Sequence, residues 1–116
     1  AAGTSPYKGV DRFSGLVLRA TVAGASGTGT VLLFLQTRLP GLPEAWMDLA
    51  AFTAIAGNTT LALSFLTSGN AFITPTDGAL AAGTLVTAPL GKLIRLKWSI
   101  TGTPTFPTTA AVLLLE

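Results

Sequence analysis

Residues 91–102, GKLIRLKWSITG, constrain the fold of this chain more than any other stretch. Between the two glycines, Ile94, Leu96, Trp98 and Ile100 take every second position, and Arg95, Lys97, Ser99 and Thr101 alternate with them. That is the two-residue period of a strand with one buried face. Trp98 carries the largest apolar surface of the set and an indole N–H that needs a partner. The stretch is therefore expected to be a central strand, with Ile94, Leu96, Trp98 and Ile100 forming the core of a two-layer fold.

The remaining segments read in the same way. Residues 15–23 and 59–66 alternate, residues 84–87 make a short strand, and residues 30–38 are apolar on both faces in their first half. Residues 108–115 set Ala110, Val112 and Leu114 on one face against Ala111, Leu113 and Leu115 on the other. Residues 46–52 read as a strand with a mixed pattern, in which Trp46 and Phe52 share a parity with Asp48, and a short helix over the Ala-rich run 49–56 is the competing reading. Turn chemistry separates the segments: a glycine-rich hairpin connection at 24–30, a proline-bearing loop at 39–45, a surface loop at 67–83 and a proline-punctuated link at 102–107. Seven or eight short strands without a helix make a single all-β, antiparallel β-sandwich, of which the jelly roll is one form. Residues 1–14 read as an extended N-terminal arm, and residues 15–116 as the sandwich domain.

Chemistry is harder to place. The chain has neither histidine nor cysteine, which removes imidazole acid/base work, thiolate nucleophiles and the usual zinc ligands. Its five acids, Asp11, Glu44, Asp48, Asp77 and Glu116, fall at no spacing that suggests a carboxylate dyad or a calcium loop. No catalytic, cofactor-binding or metal-ligating residue is expected, and the protein reads as non-enzymatic. The seven basic residues form no run, so nucleic acid is not an expected partner. Apolar runs such as 31–35 and 110–115 are too short to span a membrane as a helix. Only 10% of residues are charged, against about 25% in an ordinary soluble domain. Apolar surface is therefore expected to be buried against other protein chains. Leu32, Phe34, Leu113 and Leu115 lie on strands apolar on both faces and are the candidate subunit interface.

Two segments, VLLFLQTRLPGLPEAWMDLAAFTAIAG and TDGALAAGTLVTAPLGKLIRLKWSITGTPTF, resemble a family of small structural proteins of tailed bacteriophages. The resemblance rests on Leu35-Gln36, Trp46, Phe52, Gly91, Arg95, Trp98 and Thr101-Gly102-Thr103. It implies a virion component, a decoration protein on the outer surface of the capsid head, with a tail or fibre module as the second form. It also implies a homo-oligomer, a trimer, seated on the major capsid protein. A carbohydrate-binding module is the competing reading of the residues, with Tyr7, Trp46 or Phe72 as sugar platforms.

Overall fold

The computed structural model describes residues 2–5, 8–9, 15–39, 45–66, 75–86 and 93–115. Nine strands occur among them: β1 (Ala2–Thr4), β2 (Lys8–Gly9), β3 (Gly15–Val22), β4 (Gly29–Leu39), β5 (Ala45–Ala51), β6 (Thr59–Leu66), β7 (Thr84–Leu85), β8 (Leu93–Gly102) and β9 (Thr108–Leu115). They form two antiparallel sheets. The larger has the order β1-β8-β4-β5-β7, with β2 also on β8, and the smaller has the order β6-β3-β9. Buried residues of both sheets, among them Leu16, Leu18, Leu33, Leu35, Leu49 and Phe65, join in one core cluster. The fold is an all-β sandwich of two antiparallel sheets, as the sequence predicts. The segment read as an arm contributes β1 and β2, which lie along one edge of β8 as a broken edge strand.

The glycine-rich segment 24–30 is not a hairpin connection, because the strands it joins lie in different sheets. Strand β3 pairs with β9, and β4 pairs with β8. Between them, Ser26 bridges Thr105, the Thr103 N–H donates to the Thr28 carbonyl, and the Ala23 N–H donates to the Pro107 carbonyl. The two pairs are thus halves of a single antiparallel ribbon that folds over from one layer to the other. Crossing the ~10 Å between stacked sheets needs a sharp bend, and glycines supply it. Gly29 has φ 134° and Gly102 has φ 85°. A Cβ on Gly29 would stand 2.1 Å from the Thr101 carbonyl oxygen, and one on Gly102 2.8 Å from that of Thr28.

A β-bulge explains the mixed pattern of β5. Leu35 is opposite Ala50 but Gln36 is opposite Asp48, so Leu49 is an extra residue in the strand. Before the bulge, Met47 and Leu49 face the core while Trp46 and Asp48 face outward. After it, Ala50 and Phe52 face the core. One inserted residue thus sends Trp46 and Phe52, which share a parity, to opposite faces of the sheet.

The expected core face of β8 is correct in direction but not in depth. Ile94 is 4% exposed, whereas Leu96, Trp98 and Ile100 are only partly buried, packed against the edge of the core. The central strand is β4, which lies between β8 and β5, with β8 one place nearer the edge. The smaller sheet is three strands wide, too narrow to cover β8 completely. Trp98 gains some of its cover from β1, where Gly3 lies directly opposite it. A Cβ on Gly3 would come within 2.5 Å of the indole ring.

Denaturant unfolding of two alanine variants tests the role of the folded ribbon. Gly29→Ala forces a side chain into a nearly glycine-only backbone region and should lose about 3 kcal/mol of stability. Gly57→Ala has nothing within 4 Å of the new Cβ and should stay within about 0.5 kcal/mol of the parent. Equal losses in the two would remove the close approach at the bend from the account.

Candidate functional site

The outward face of the larger sheet carries a compact polar cluster. Pairing places Asp48 of β5, Gln36 of β4 and Arg95 of β8 in one row across three strands. Residues 75–83 strap over this row from the edge of β5. One end is held by the Asp48 N–H donating to the Thr76 carbonyl, and the other by the Gly83 N–H donating to the Ala51 carbonyl, just before β7 pairs with β5. Asp77 brings its carboxylate to Lys97 at 2.8 Å and to Gln36 at 2.7 Å. Gly78 lies against the stem of Lys97, whose Cε is 3.0 Å from where a Cβ would stand.

Gln36, fully buried, is the hub. Its Nε2 donates to Asp48 and to Asp77, and its Oε1 accepts from Arg95 Nε at 2.7 Å, so its two donors and its acceptor are all engaged. Asp48 is also fully buried. Its carboxylate accepts from Gln36, from the Thr76 hydroxyl at 2.8 Å and from the backbone N–H groups of Gly78, Ala79 and Leu80. The Arg95 guanidinium lies 4.3 Å from the centre of the Trp46 ring, within cation–π range. Burial pushes the Asp48 carboxyl up, but the bonds from Gln36, Gly78, Thr76 and Ala79 outweigh it and hold the group below 3.8. Asp77 is likewise pushed up by burial and held below 3.8 by Lys97, Gln36 and the charge of Arg95.

A carboxylate surrounded in this way is poorly placed to take a proton from a substrate or to bind a metal. Its chemistry is that of a clasp, fastening the strap to the sheet. Among the described residues no group of three His, Cys, Asp or Glu side chains could hold a metal ion. The strap also settles where Phe34 lies. On the outward face Phe34 stands between Lys97 and Ala51, both touched by the strap, and it is 1% exposed. Phe34 is therefore covered from within the chain and is not available as subunit interface. Of the other candidates, Leu32 is partly buried, Leu113 is 62% exposed, and the side chain of Leu115 lies outside the described residues.

A second feature is apolar. Where β8 meets β9 the layers leave an open groove of about 410 Å³, lined by Val31, Leu96, Trp98, Ile100, Phe106 and Ala110 among others, with no charged side chain among the described residues of its walls. It is the consequence of the narrow smaller sheet. Comparison with protein-family models, with curated proteins and with solved structures finds no match.

Sequence reading did not assemble the clasp, because Gln36, Asp48 and Asp77 lie on three separate segments. A signal was present in Asp48, the lone polar residue of the apolar stretch 45–51, the mark of a buried polar position that must find partners. Three of the residues behind the phage resemblance, Gln36, Trp46 and Arg95, meet in this cluster.

Both carboxyls are held low in the folded protein, so their contribution is complete above the unfolded value of about 3.9 and is lost as pH falls through the folded values. Stability should be level from neutral pH to about 5 and decline below about 4. Asp48→Asn should cost about 2 kcal/mol at pH 7, because an amide turns donors toward the N–H groups of the strap. It should also flatten the acid decline. An unchanged acid limb in the variant would show that the clasp does not govern it.

Proposed function

We propose that this chain is a non-enzymatic virion structural protein, a decoration protein bound as an oligomer to the outer surface of a tailed-phage head. The observation that carries this reading is the apolar surface left on β9, with Val112 37% and Leu113 62% exposed, in a chain of scant charge. Such surface is covered at low cost by a neighbouring protein chain and is a liability in an isolated subunit. The polar cluster supports the same reading. Two of the five acids and two of the seven bases are spent on fastening a strap, which suits a rigid building block.

A tail or fibre module uses the same physics and differs in its partner. The carbohydrate-binding alternative is weaker. Trp46 is 6% exposed beneath Arg95, and the strongly exposed large apolar side chains among the described residues, Leu85, Val112 and Leu113, include no aromatic ring. Tyr7 and Phe72 lie outside the described residues.

Co-expression with a tailed-phage major capsid protein that forms shells, followed by sedimentation of the shells, tests the proposal. The chain should pellet with the shells at a fixed, saturable ratio. Pelleting only with tails would favour the tail form, and binding to neither, with retention on a polysaccharide column, would favour the sugar module.

A further inference from the structure

Among the described residues the outer edge of β9 is open. In the register of β3 and β9, the Ala23 N–H donates to the Pro107 carbonyl, which sets the alternation of the ladder. Thr109, Ala111 and Leu113 then turn their N–H and C=O groups toward β3. Thr108, Ala110, Val112 and Leu114 turn theirs to the free side, where β9 has no neighbour among the described residues. Natural edges are blunted by charge, proline or a bulge, and β9 from Thr108 to Leu115 has none of these. The same edge borders the apolar groove, and no described strand of the smaller sheet takes the position across from β1.

We infer that β9 pairs with β9 of a second copy of this chain, antiparallel about a two-fold axis through Ala111, joining the two smaller sheets into one of six strands. A two-fold normal to the sheet keeps the core sides together and opposes residues of equal parity. Centred on Ala111, it sets Thr108 against Leu114, Thr109 against Leu113 and Ala110 against Val112, small side chains against large ones throughout. Four residue pairs then exchange hydrogen bonds, whereas centring on Val112 gives three. The incoming strand lies over β1 and closes the mouth of the groove above Trp98.

Charge allows a copy as the occupant. Strand β9 is uncharged, and the one charge on the neighbouring outward face, Arg19, lies beside Ala111. Across the axis the two Arg19 side chains are three strand spacings apart, ~14 Å, beyond the screening length of ~8 Å at physiological salt. The shared strand is ~27 Å long, so the interface lies at the small end of specific contacts and pairing is expected at micromolar rather than nanomolar concentration. The inference rests on the assembly reading above only in that copies associate, and it replaces the expected trimer by a two-fold unit.

Because the chain has no cysteine, single-cysteine variants report the contact directly. At a pair without mutual hydrogen bonds the Cα atoms lie ~4.5 Å apart, within disulfide range. Under mild oxidation Ala111→Cys should become a covalent dimer, and Thr60→Cys on the other edge of the sheet should stay monomeric. Sedimentation velocity should show a dimer for the parent and at least tenfold weaker dimerisation for Leu113→Lys, an exposed site, and for Ala110→Pro, whose N–H faces the free edge. A monomeric parent at 100 micromolar (roughly a hundred times the expected range), a trimer, or an Ala111→Cys protein that does not cross-link overturns the inference. The decoration reading fails separately: a monomer that still coats shells removes only the pairing, and a β9-linked dimer that binds no shell removes only the decoration.

Discussion

One antiparallel ribbon, folded over at its glycines, determines where nearly everything else in this protein lies. Strands β3 and β9 form one half and β4 and β8 the other, and the bend between them carries Gly29 and Gly102 with positive φ and carbonyl groups too close to admit a Cβ. Folding the ribbon stacks its halves, so β9 is brought over β8 and β3 over β4. The core follows from that stacking. Leu16 and Leu18 of one half meet Leu33 and Leu35 of the other, and β5 and β6 widen the two layers on the far side. Burial of this face supplies the main driving force of folding.

The two layers are finished differently. The larger sheet closes its outward face with the strap, and the cost of burying Gln36 and Asp48 is offset because the polar groups of each find partners within hydrogen-bond distance. That arrangement fixes a loop without needing an apolar contact for every residue of it. Among the described residues the smaller sheet has no such covering. Its outward face carries Arg19, small residues such as Ala62, Ser64 and Ala111, and the exposed Leu113, and its β9 edge ends over a groove that the larger sheet does not fill.

The alternation of residues 93–102 was enough to place Ile94 and Trp98 on one face and Arg95 and Lys97 on the other, because side-chain period in a strand is a local property. How deeply each is buried depends on the width of the opposing sheet, which no single segment encodes, and so Trp98 proves half-buried. The bulge at Leu49 broke the period within β5 and made the segment unreadable by parity alone. The crossing at 24–30 was read as a hairpin because glycines signal a turn but not whether the turn stays within a sheet. The clasp needed three distant segments to meet, and its only local trace was a polar residue in an apolar strand.

With β9 paired to β9 of a second copy, as inferred above, the three-stranded sheet is completed across the two-fold axis. Amide hydrogen exchange along β9, compared between dilute and concentrated protein, tests this most directly, since it reads the individual N–H groups of the edge. Protection should rise with concentration at Thr108, Ala110, Val112 and Leu114, while Ala111 and Leu113, already bonded to β3, change far less. Protection that does not depend on concentration, or that rises along β6 instead, would contradict it.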